Sequence, residues 1–169
     1  MNGRLILMVA AALVGAPAGA QLLRRGPPPP PPPVTIEMLR GAFNARAGSD
    51  TVYFASGAYG LDAQARATLT AQAAWLRANP TIAVRIEGHS DERDSRDHAL
   101  AIGERRADAV RDFLILQGVP AAQLTTLSWG RERPSVQGTS DMALALSRRA
   151  VTVLMPPTLV PGPLPPPGY

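Results

Sequence analysis

Apolar and polar residues alternate from Val84 to Glu87, with Val84 and Ile86 set against Arg85 and Glu87, the period-two pattern of a strand with one buried face. Gly88 breaks the run. A charged loop follows, then a segment to Leu116 in which Ala99, Ile102, Arg106, Ala109 and Phe113 recur at spacings of three and four and so share one helical face. Gly118 and Pro120 end that helix. Arg106 stands among apolar neighbours. A guanidinium keeps its charge, and withdrawing it from water costs several kcal/mol unless an anion meets it. An acidic partner or an acidic ligand is therefore expected nearby, and Asp91 in the preceding loop is the candidate neighbour.

Elsewhere, Asp50 to Phe54 reads as a strand with Val52 and Phe54 on one face, and Gly57 and Gly60 mark a turn. Asp62 caps a helix running through Leu69, Ala73 and Leu76 to Asn79, where Pro80 stops it. Trp75 on this helix reads as core or edge packing. Leu124 to Trp129 gives a third strand, with Trp129 packing at its end, and Arg149 to Met155 a fourth, with Val151 and Val153 on one face. Between them Ser140 or Asp141 caps a short helix reaching Ser147. Thr35 to Ala47 has the spacing of a further short helix through Ile36, Leu39 and Phe43. From Asp50 the order is strand, helix, strand, helix, strand, short helix, strand. Right-handed crossovers place both long helices on one face of a mixed four-stranded sheet, a two-layer α/β sandwich of the α+β kind.

The ends of the chain read differently. Arg4 precedes an apolar run from Leu5 to Ala16, and Ala18, Gly19 and Ala20 supply the small residues of a cleavage site, so residues 1–20 are expected to be a cleaved export signal. The competing reading is a retained anchor. Leu5 to Ala20 contains Gly15 and Pro17 and falls short of the roughly 20 apolar residues of a spanning helix, and Arg24 and Arg25 on its far side oppose the usual charge bias. Pro27 to Pro33 cannot pack as helix or central strand and stands as a stiff spacer of about 22 Å. Residues 21–49 are thus read as a linker, 50–155 as the folded domain, and 156–169, rich in proline, as a disordered tail.

Composition narrows the function. With 169 residues and both ends set aside, one domain with one core is expected. Much of the net charge of +4 lies outside the folded domain: without Arg4, Arg24 and Arg25, 14 arginines face 13 acidic residues, a balance of +1. The domain lacks the clustered basic face of a nucleic-acid binder, and no nucleic-acid partner is expected. The chain has no cysteine, which excludes disulfides, thiolate metal sites, cysteine nucleophiles and lipid attachment through an N-terminal cysteine.

Several separated motifs now carry a resemblance. Val52-Tyr53-Phe54, Glu87-Gly88-His89-Ser90-Asp91-Glu92-Arg93, Gly103-Glu104-Arg105-Arg106-Ala107, Gly118-Val119, Gly130-Arg131-Glu132-Arg133-Pro134 and Arg148-Arg149-Ala150-Val151 resemble the peptidoglycan-associated lipoproteins and, more broadly, the C-terminal domain of outer membrane protein A. The match runs in register from about Asp50 to Leu154. It implies a non-catalytic domain that grips the diaminopimelate of the peptidoglycan stem peptide, with Asp91 and Arg106 in the contact. Diaminopimelate ends in an ammonium and a carboxylate, which a carboxylate and a guanidinium at fixed separation can pair together. Phe54, His89, Ser90, Ala99 and Arg149 are expected in supporting positions around that ligand. The implied setting is the periplasm, at the outer membrane or cell wall, with Tol-system or other envelope proteins as further partners.

Departures from the family pattern cluster at the same place. Ser56 and Gly57 stand where an aromatic residue and an aspartate are usual, Asp94 and Ser95 where glycine and threonine are, and Ala99 and Ser147 each replace an asparagine. Each removes a polar contact near the expected ligand, so weaker affinity or an altered ligand is implied, and a protein-interaction scaffold with a decayed pocket is the alternative. From the residues alone, Asp91 and Arg106 read equally as an internal ion pair linking loop to helix; the resemblance favours binding. His89, Asp91 and His98 contain metal-binding groups but match no known ligand spacing, so no metal or other cofactor is expected. Ser90, His89 and Asp91 are sequence neighbours, which makes no triad, and no enzyme is expected.

Overall fold

The computed structural model of the protein describes residues 35–91, 93 and 95–156. The expected leader, the proline spacer and the tail beyond Pro156 lie outside the described residues. Within them the chain runs α1 (Ile36–Ala47), β1 (Thr51–Tyr53), α2 (Ala63–Ala78), β2 (Val84–His89), α3 (Arg96–Leu116), a short 3-10 turn (Ala121–Gln123), β3 (Leu124–Gly130), α4 (Asp141–Ser147) and β4 (Arg149–Leu154). Each helix starts on an oxygen that accepts an otherwise unpaired amide. Thr35 accepts from Met38 N, Asp62 from Ala65 N at 2.7 Å, Ser95 from His98 N and Ser140 from Ala143 N. Of the two candidate caps for α4, the structure uses Ser140.

The strands form one sheet in the order β1-β4-β2-β3. β2 and β3 are parallel, whereas β4 lies antiparallel to both β1 and β2, so the sheet is mixed as expected. Val52, Val84, Ile86, Leu124, Ala150 and Leu154 turn one sheet face toward Leu69, Ala73 and Leu76 of α2 and Ala107, Val110 and Leu114 of α3. Each fully buried aliphatic side chain contributes about 1.5–3 kcal/mol of transfer free energy. The second layer is therefore helical and lies on this face. Buried Gln72 joins the layers by donating to Ser49 O at 2.9 Å and accepting from Thr152 Oγ1 at 2.8 Å.

Three details differ from the sequence pattern. α1 is packed into the core: Phe43 is buried, and its ring meets Trp75 edge to face at 5.2 Å. The folded body thus begins at α1, ahead of Asp50, because Phe43 needs α2 to cover it. Val151 and Val153 do share a face, but it is the half-buried face away from the helices; Ala150, Thr152 and Leu154 point inward. On α3, Ala99, Ile102 and Arg106 are buried as the spacing predicts, together with Gly103, Ala107, Val110 and Leu114, while Ala109 and Phe113 lie at the margin. Among the described residues no helix is long and apolar enough to cross a membrane.

Candidate functional site

The site is built where β2 ends and the chain turns into α3. Gly88 and Gly103 let helix and strand touch backbone to backbone there. A Cβ on Gly88 would overlap the Gly103 carbonyl, and one on Gly103 would strike Ser128 Oγ and lie 3.0 Å from Gly88 O. This close approach pulls the first turns of α3 against the sheet and fixes where Arg106 points, one turn further along.

Arg106 is 1% exposed, and among the described residues its guanidinium donates to three backbone carbonyls. Nε donates to Ala58 O at 2.8 Å, Nη1 to His89 O at 2.7 Å and Nη2 to Ala55 O at 3.3 Å. Its guanidinium carbon lies 5.3 Å from the centre of the Phe54 ring, adding a cation-π contact beneath. One side chain thus ties the β1–α2 loop to the end of β2.

Asp91 follows two residues after His89 and is 4% exposed. The structure does not join it to Arg106. Its Oδ2 accepts instead from Arg148 Nη1 at 3.0 Å and from Arg93 Nη2 at 3.2 Å. Arg148 is 13% exposed at its side chain and reaches Phe54 O at 3.3 Å with Nε, whereas the Arg93 side chain is 55% exposed. Burial alone would raise the Asp91 pKa; hydrogen bonds from Arg148 and Arg93 and the charge of Arg93 outweigh it and hold the carboxyl below its ordinary value. Arg148 stands in the Arg148-Arg149-Ala150-Val151 stretch, which by itself implies no role at the site. No periodicity or local spacing pairs it with Asp91; only the sheet brings them together.

The supporting residues divide. Phe54 and Ser90 are buried beside Arg106 and Asp91, and Ser90 N donates to Gly130 O at 2.8 Å. His89 gives its carbonyl to Arg106, while burial first, and then the nearby Arg149 charge, lower its imidazole pKa from 6.5 to about 4. Ala99 is buried under Gly130, whose added Cβ would come within 3.2 Å of the Ala99 backbone, so it offers the site no polar group. Arg149 alternates onto the sheet face away from the helices and donates to Arg133 O at 3.2 Å. Ser147 still bridges its surroundings, donating to Ala143 O and accepting from Ser135 N. At the end of β3, Trp129 carries Arg133 3.5 Å above its ring. Among the described residues no three His, Asp and Glu side chains are grouped to hold a metal ion.

Comparison with known proteins assigns this architecture. The chain is 45% identical over 105 residues to the peptidoglycan-associated lipoprotein of Agrobacterium fabrum, covering 62% of this chain and 59% of that protein. It spans about three fifths of the length of the curated relatives it matches. The crystal structure of the peptidoglycan-associated lipoprotein from Burkholderia pseudomallei superposes with a TM-score of 0.62 at 36% identity, over 64% of this chain and 92% of that one. The cell wall anchor of the T6SS from Pseudomonas aeruginosa is similar at 25% identity and a TM-score of 0.53, over 62% and 78% of the respective chains. A model of the OmpA family matches residues 53–146, more than half of the sequence, and the chain belongs to that family.

Proposed function

We propose that this OmpA-family domain holds peptidoglycan without catalysis and without a covalent bond, by gripping the diaminopimelate of the stem peptide. The supporting observation is that an ionised, nearly buried Asp91 and the Arg106 guanidinium are both rooted at the end of β2, two residues apart through His89. In this reading the ligand ammonium docks on the Asp91 carboxylate, and the ligand carboxylate takes over the longest of the Arg106 contacts, that to Ala55 O. The names of the Agrobacterium relative and the Pseudomonas cell wall anchor favour the same ligand class. Residues 1–20 would export the chain and be removed, and residues 27–33 would hold the domain off its attachment point in the periplasm.

One observation favours a second reading, a scaffold for envelope proteins such as those of the Tol system: the Asp91 carboxylate already has two arginines, with which a ligand ammonium must compete. Full-length protein mixed with purified sacculi separates the two. Retention that free diaminopimelate displaces at millimolar concentration, that lysine does not displace, and that Asp91→Asn weakens supports the first. Absence of retention overturns it, and retention indifferent to diaminopimelate assigns a different cell-wall ligand.

A further inference from the structure

The sheet order leaves β3 at an edge, paired with β2 alone. Soluble proteins commonly guard such edges with charge, proline or shortness, because the unpaired row of amides and carbonyls is a template for another strand. The seven residues of β3, LTTLSWG, contain no charge and no proline, and the one irregularity in its pairing falls at the far end, between Ser128 and Gly130. Beside it, on the helical side, a cleft of about 510 Å3 is lined by Leu127 and Ser128 of the strand and by Asp97, Leu100 and Glu104 of α3. Ser128 Oγ donates to Leu100 O at 2.8 Å, so strand edge and helix are held as one wall. The helix residues fall at i, i+3 and i+7 and share one face. Leu100 is exposed between the two carboxylates, which lie about 10 Å apart along the helix axis. Neither carboxylate has a cationic partner among the described residues.

We propose that β3 accepts an extended basic segment of another protein as a fifth strand. Main-chain hydrogen bonds to the free edge supply affinity, and the cleft supplies selection. Residues two apart on a strand share a face, and two such steps cover about 13 Å. A pattern of basic, any, apolar, any, basic therefore sets an apolar side chain on Leu100 between cations facing Asp97 and Glu104. A second copy of this chain is a poor occupant, since its own β3 has no cation and edge-to-edge pairing would bring like carboxylates together. The inference does not depend on the peptidoglycan reading, because it uses neither Asp91 nor Arg106.

The test is a titration of the full chain with the acetylated and amidated peptide Thr-Arg-Val-Leu-Val-Arg-Thr, followed by amide NMR. Saturable shifts are expected along Leu124–Gly130 and on the Asp97 to Glu104 face. A peptide with glutamate in place of both arginines should leave the spectrum unchanged. The double variant Asp97→Asn, Glu104→Gln should bind at least about tenfold more weakly. Shifts that do not saturate by millimolar peptide, that fall away from β3, or that persist equally with the glutamate peptide or the double variant overturn the proposal.

Discussion

Arg148 and Asp91 lie 57 residues apart in the chain and meet through one oxygen, Arg148 Nη1 standing 3.0 Å from Asp91 Oδ2. The pair fastens the start of β4 to the loop between β2 and α3. Removing one partner of a buried ion pair costs about 3–5 kcal/mol, and the contact that Asp91 keeps with Arg93 reduces this. Arg148→Ala is therefore expected to lower unfolding stability by about 2–3 kcal/mol in urea titrations. Adding Asp91→Asn should recover part of that loss, since no buried charge is then left uncompensated; a double variant less stable than the single one would refute the pairing.

Stability should also depend on pH through His89. Its folded-state pKa of about 4 lies below the unfolded value of 6.5. The folded state therefore favours the neutral ring, so its contribution is complete above pH 6.5 and is lost as the pH falls toward 4, by at most about 3 kcal/mol. Asp91 has the other sign of charge and a lower window, its contribution being present above the ordinary carboxylate range and lost as pH falls through its depressed folded value. Urea midpoints measured from pH 7 downward should fall in two stages. His89→Gln should flatten the first, and Asp91→Asn the second.

At the helix–strand crossing, Gly88→Ala and Gly103→Ala should differ in kind. The first drives a methyl group into the backbone carbonyl of Gly103, which cannot turn aside, and should cost about 3 kcal/mol or more. The second meets Ser128 Oγ, a rotatable group, and lies at a tight 3.0 Å from Gly88 O, which offsets part of a gain in helix propensity of about 1 kcal/mol. Gly103→Ala combined with Ser128→Ala should be more stable than Gly103→Ala alone, as read by thermal melting.

For α1, the expected outcome of Phe43→Ala is a loss of about 3 kcal/mol, with a red-shifted Trp75 emission as its edge-to-face partner disappears. An unchanged melting temperature would place this helix outside the cooperative unit.

What the sequence made legible was local. Asp62 and Pro80 bracket α2 because capping and proline termination act within a few residues. The alternation of Val84 and Ile86 announced β2 and its inward face. On α3 the spacing finds buried Ala99, Ile102 and Arg106 but passes over Gly103, because glycine carries no hydrophobic signal, yet Gly103 touches the sheet. Val151 and Val153 share one face as the alternation predicts, but which face meets the helices is not legible there, because the inward residues include the small Ala150 and the polar Thr152. For Arg106 the sequence predicts an acidic partner or ligand. Among the described residues its guanidinium donates to the carbonyl oxygens of Ala55, Ala58 and His89, acceptors that every residue possesses and no side-chain motif can reveal. The Arg148–Asp91 contact was invisible for a similar reason: only the completed sheet makes them neighbours.

The clamp of Arg106 on Ala55, Ala58 and His89 has a mechanical consequence. Drawing the β1–α2 loop away from the end of β2 loads bonds from one planar guanidinium at both places at once. Displacement is then shared between a loop and a central strand instead of peeling one of them away.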